Sequence, residues 1–119
     1  MPVILLSADL ATSSKVSGAA ARQSIPFSVA MTVDRLCDLA GPAAGALVLL
    51  DLTFADLAVA EVVARLRALA NPPQAVVAFG PHVHEAKLAE AAAAGCDHVM
   101  SRGQFYAQVD EILQASREA

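Results

Sequence analysis

Long apolar runs are missing from this chain of 119 residues, although 56% of it is hydrophobic. No stretch reaches the ~18 residues needed to span a bilayer, so no membrane partner is expected. The opening residues, Met1 to Leu6, carry neither the basic segment nor the length of a signal peptide, and a cytoplasmic location is the expectation. Positive charge is also scarce. Eight Lys and Arg against twelve Asp and Glu leave a net charge of −4 and a pI near 5.1. Nucleic-acid binding calls for a basic patch over the phosphate backbone, so nucleic acid is not expected as a partner. Cysteine is limited to Cys37 and Cys96, far apart and without CxxC spacing. They read as small buried apolar residues in a reducing compartment.

Sequence signatures of catalysis are missing too. Ser7, Ser13 and Ser14 lie outside any GxSxG elbow, and Gly18, Gly41 and Gly45 do not compose a GxGxxG turn after the first apolar run. His82, His84, His98 and Cys96 lack the spacing of a standard metal site. Thr12-Ser13-Ser14 reads as the first turn of a helix. No enzymatic activity is expected.

What the chain does have is a regular alternation. Val3–Leu6 is a short apolar run and the first strand. Ala11–Gln23 has helical spacing through Val16, Ala19 and Ala20, weakened by Gly18. Ile25–Val29 alternates as a second strand, with Pro26 suited to a strand start or an edge. Thr32 caps a helix over Val33–Ala40, stopped by Gly41-Pro42. Leu47–Leu50 is continuously apolar, as a strand covered on both faces should be. Asp56–Leu69 is a helix with Leu57, Leu66 and Leu69 on one face, ended by Asn71-Pro72-Pro73. Ala75–Phe79 is the fourth strand, and Gly80-Pro81 breaks it. Val83–Ala94 is an Ala-rich helix closed by Gly95 as its C′ residue. His98–Met100 is the fifth strand and Gln104–Arg117 the last helix, apolar at Phe105, Val109, Ile112 and Leu113.

Strands alternating with helices in this way make a single α/β domain over 1–119, a parallel sheet with helices on both faces. Chemistry in such sheets gathers at the carboxyl ends of the strands. Ser7-Ala8-Asp9, Asp51, Gly80 and Arg102 stand there. Asp51 is the most conspicuous, because a carboxylate beside so much apolar surface must be solvated, paired or metal-bound.

The (βα)5 order, the apolar strand ending in Asp51 and the stretch GCDHVMSRGQF at 95–105 together resemble the response-regulator receiver (CheY-like) family over essentially the whole chain. The resemblance implies a three-layer, doubly wound, flavodoxin-like fold with sheet order 2-1-3-4-5. Members of that family end the third strand with a phosphoacceptor aspartate, matched by Asp51. They carry an acidic pair after the first strand, a Thr or Ser after the fourth, and Lys-Pro after the fifth. Carboxylates there hold Mg2+, a hard cation that takes oxygen ligands. The hydroxyl bonds the phosphoryl group and reports its arrival to the adjacent surface.

This chain departs from that pattern at most chemical positions. Ser7 and Ala8 fall where the acidic pair would be, with Asp9 as the acid one position on and, with Asp51, the remaining Mg2+ ligand candidate. Gly80 takes the place of the hydroxyl. Arg102-Gly103 takes the place of Lys-Pro, and the turn Leu52–Ala55 lacks the usual Pro. An Asp51–Arg102 ion pair is expected to hold the crevice shut. The resemblance therefore implies a receiver-type signalling domain in degenerate form, a pseudo-receiver acting through protein–protein contact. Its alternative is a working phosphorelay receiver, phosphorylated on Asp51 by a histidine kinase with weak Mg2+ assistance. A small-ligand-binding α/β domain is a further alternative. The implied partners are a histidine kinase, a phosphotransfer protein or a downstream effector, with a second copy of the chain as another candidate. The helices at 83–94 and 104–117 are the expected partner surface, with Tyr106 reaching solvent.

Overall fold

The alternating side chains of two continuous apolar strands decide this architecture. In a computed structural model that describes residues 1–119, β1 (Val3–Leu6) and β3 (Leu47–Asp51) are buried along their whole length. Successive side chains of a strand point to opposite faces, so each strand feeds two cores. Ile4, Leu6, Val48 and Leu50 enter one, and Val3, Leu5, Leu47 and Leu49 enter the other.

The remaining strands extend this centre on both sides. β2 (Phe27–Ala30) pairs with β1, and β4 (Ala75–Gly80) joins β3 to the outer strand β5 (His98–Ser101), all parallel, in the order β2-β1-β3-β4-β5. Helices α1 (Leu10–Arg22) and α5 (Arg102–Glu118) cover one face through Val16, Ala19, Phe105, Val109 and Leu113. Helices α2 (Val33–Ala40), α3 (Val59–Arg67) and α4 (Glu85–Ala93) cover the other, led by Leu36, Val62, Val63 and Leu66. The doubly wound class and the sheet order both agree with the sequence expectation. No helix is long and apolar enough to cross a membrane.

Element ends differ from the sequence reading where local chemistry intervenes. β2 starts at Phe27, after Pro26, which has no N–H to give; its carbonyl instead accepts the Val3 amide at 2.8 Å. α3 starts at Val59 and not Asp56, because Asp56 takes a left-handed φ of +56° inside the preceding turn. α5 starts at Arg102, two residues early, since Ser101 caps it and Gln104 reaches back to complete a capping box. Thr32 and Gly95 act as foreseen, the first accepting from the Arg35 amide at 3.0 Å, the second at φ +95° after α4.

Candidate functional site

β3 runs one residue past its apolar stretch, so Asp51 is still in the ladder, opposite Phe79 of β4. Its carboxylate is 1% exposed. Three donors compensate for the lost water. Oδ1 accepts the Thr53 amide at 3.0 Å and the Thr53 hydroxyl at 2.7 Å, closing the turn that follows the strand. Oδ2 accepts the Ser7 hydroxyl at 2.7 Å, an ordinary separation for an O–H···O bond. Ser7 reaches it because β1 lies beside β3, and Ser7 is itself only 1% exposed.

The other acid of the β1 end has different work. Asp9 is the N-cap of α1, with Oδ1 accepting the Ala11 amide and Oδ2 the Thr12 hydroxyl, each at 3.0 Å. Its own amide donates to Ser7 Oγ at 3.1 Å. Ala8 is exposed and offers no polar side chain. Serine thus joins the two acids: it donates to Asp51 and accepts from Asp9.

Gly80 closes β4 beside this group. A Cβ there would stand 3.2 Å from the Cβ of Leu52, so Leu52 crowds the position a hydroxyl-bearing side chain would take. Arg102 corrects an expectation. It forms no ion pair with Asp51; the ion pairs of the chain are Arg22–Asp110, Arg65–Asp34 and Arg67–Asp97. Neutral donors serve the acid instead, the Ser7 hydroxyl on one oxygen and the Thr53 amide and hydroxyl on the other. Arg102 Nε is buried without a hydrogen-bond partner.

Sequence reasoning missed Thr53 and Thr12, although each carries a local signal. Thr53 is two residues beyond an aspartate at a strand end, the spacing of an Asx-type turn. Thr12 lies three residues beyond the N-cap Asp9, within reach of it on the first helical turn. Tyr106 was expected to reach solvent. It is half-buried, its hydroxyl 2.8 Å from Thr12 Oγ1 and its ring 5.7 Å below Lys15 Nζ. That contact crosses from α5 to α1 and leaves no local trace in the sequence.

Away from the crevice, Asp97 ties the α4–β5 turn to the start of β4. Its Oδ2 accepts the Val76 amide at 2.7 Å and the Arg67 guanidinium at 2.9 Å. Burial pushes its carboxyl up, but those two donors outweigh it and hold the group below its ordinary value. No group of three or more His, Cys, Asp or Glu side chains is arranged to hold a metal ion.

No protein-family model matches the chain, and no curated protein does. Solved structures do match. The chemotaxis response regulator CheY4 of Vibrio cholerae is 14% identical, with 97% of each chain covered and a TM-score of 0.78. The receiver domain of a Pseudomonas aeruginosa sensor histidine kinase, with a magnesium ion coordinated in its active-site cleft, is 13% identical, with 99% of this chain and 98% of that one covered and a TM-score of 0.79. The receiver domain of Ssk1 from Saccharomyces cerevisiae, crystallised with the histidine phosphotransfer protein Ypd1, is 13% identical, with 86% of this chain and 78% of that one covered and a TM-score of 0.69. The chain therefore has the fold of response-regulator receiver domains.

Proposed function

We propose that this domain is a receiver-type signalling module in degenerate form, working through protein–protein contact and not through phosphate on Asp51. One observation carries the reading: the carboxylate is 1% exposed and both its oxygens are already bonded to Ser7 and Thr53. A phosphoacceptor must present an oxygen to the donor and tolerate the charge that arrives. Here the hydroxyls of Ser7 and Thr53 and the Thr53 amide bond the acid in place of water.

The donor set does not fit Mg2+ as arranged. That ion demands near-octahedral oxygen coordination and commonly takes one or two carboxylates. Ser7 and Ala8 supply none, and the Asp9 carboxylate is committed to the cap of α1. Gly80 offers no hydroxyl to register a phosphoryl group, and Leu52 crowds the position beside it. The phosphorelay alternative is supported by the retained Asp51 at the end of β3. A protein partner suits either version; the Ssk1 receiver, similar in fold, is seen with a phosphotransfer protein.

Incubation with acetyl phosphate or phosphoramidate and excess Mg2+, followed by intact-mass measurement, separates the two. The expected result is an unmodified chain. A gain of one phosphoryl group that disappears in Asp51→Asn would establish the relay instead.

A further inference from the structure

The Asp51 carboxylate has one local and one distant set of ties. Thr53 supplies the local set, two residues on, and ends in an exposed turn. Ser7 begins the distant one. Its hydroxyl proton lies on Asp51 Oδ2 at 2.7 Å while its oxygen accepts the Asp9 amide at 3.1 Å. The Asp9 carboxylate accepts the Thr12 hydroxyl at 3.0 Å, and Thr12 Oγ1 lies 2.8 Å from the Tyr106 hydroxyl on α5. A threonine has a single hydroxyl proton, and that of Thr12 is on Asp9, so Tyr106 is the donor. Every hydroxyl in the series therefore points the same way, from α5 towards the two acids.

We propose that this series is the output line of the domain, so that the hydrogen bond between Ser7 and Asp51 sets the position of Tyr106 and of the α1–α5 surface around it. Its inner links are sheltered, with Ser7 1% exposed and Thr12 fully buried, while Asp9 and Tyr106 are half-buried. The two halves meet at Asp9, whose amide is held by Ser7 and whose carboxylate is held by Thr12, so a shift of Asp9 at one end is passed to the other. The neighbouring path through β4 has no polar side chain to follow, because it meets Gly80 under Leu52. Coupling between sites is reciprocal. A partner that displaces Tyr106 or the Lys15 side chain above it loosens Ser7 from Asp51 in turn. The inference rests on reading Asp51 as the receiver-type acid, but not on whether that acid takes phosphate.

Tyr106 is the only tyrosine in the chain, so tyrosine labelled with 13C at the hydroxyl-bearing ring carbon gives one NMR signal that reports its hydrogen bond. Thr12→Val, which removes the last link, sets the direction and full size of the displacement. Ser7→Ala, several bonds away and with no contact to Tyr106, moves the signal in the same direction. Thr53→Ala, which strips the same carboxylate of its other hydroxyl, leaves the signal where it is. A Ser7→Ala signal at the wild-type position, or an equal displacement in Thr53→Ala, overturns the proposal. Where Ser7→Ala does not fold, Ser7→Cys keeps the volume, weakens the donor and is read by the same criteria. The phosphoryl-donor experiment succeeds or fails independently of these outcomes.

Discussion

Gly80 and Leu52 share one space: a Cβ on the glycine would sit 3.2 Å from the leucine Cβ and 3.7 Å from its Cδ1. Leu52 cannot simply withdraw, because its amide donates to the Phe79 carbonyl at 2.9 Å. Restoring a hydroxyl here by Gly80→Thr overpacks the site and should cost about 1–3 kcal/mol. Leu52→Ala alone leaves a cavity worth about 2–5 kcal/mol. Leu52→Ala keeps the Cβ but removes the Cγ and Cδ atoms and so makes room for the methyl and hydroxyl of the threonine; the double variant is then more stable than the sum of the singles by at least ~0.5 kcal/mol. Urea denaturation of the four proteins measures the coupling, and strict additivity would show that the two positions do not compete.

The serine that stands in place of a metal-binding acid makes a second prediction. Ser7→Asp sets a carboxylate against Asp51 with no cation between them, and like charges at that distance are unfavourable. The variant should melt below the wild type in EDTA and recover with added Mg2+. At 100 times the dissociation constant, ligand linkage alone returns about 2.7 kcal/mol. The wild-type melting temperature should stay flat over the same titration. A wild-type response equal to that of Ser7→Asp would mean that the existing oxygens already hold the ion.

How far this was legible in the sequence depends on the range of each interaction. The continuous runs at Val3–Leu6 and Leu47–Leu50 announce strands buried on both faces, and their order fixes a parallel sheet. Asp51 stands out because a charge after such a run needs an explanation. What stayed hidden was the partner of that charge. Arg102 was the obvious counterion by type, yet Ser7 on the neighbouring strand and Thr53 in the next turn reach the oxygens first. Hydroxyls are common, carry no charge and leave no pattern that singles out which serine faces which acid. The Tyr106–Thr12 contact, 94 positions apart in the chain, is of the same kind.

Asp97 makes stability depend on acidity. Its folded carboxyl sits below the ordinary value, with burial opposed and outweighed by the Val76 amide and Arg67. A depressed carboxyl contributes stability that is complete above the unfolded carboxyl's range, near 4, and is lost as the pH falls through the lower folded value. The acid side of the stability curve should therefore be shallower in Asp97→Asn than in the wild type, with the two curves converging at the lowest pH. Chemical denaturation between pH 7 and pH 2.5 tests this. Parallel curves would place the acid sensitivity elsewhere.

The least secured helix should be the first to open. α4 buries only Ala91, with Leu88 half-buried, and its N-terminus at His84 has no side-chain cap. By contrast α5 carries a capping box and buries Phe105, Val109 and Leu113, with Phe105 stacked on Phe79 at a centroid distance of 4.0 Å. Local opening is easiest where few apolar contacts must be broken. Amide hydrogen exchange should thus be fastest, among the five helices, over Glu85–Ala93, and slow over the middle of α5. Leu88→Ala removes the largest anchor of α4 and should speed its exchange with little change in α5. If the amides of α4 and α5 exchanged at one common rate in that variant, the whole domain would be opening as a single unit, and the weak attachment of α4 would have no consequence for its motion.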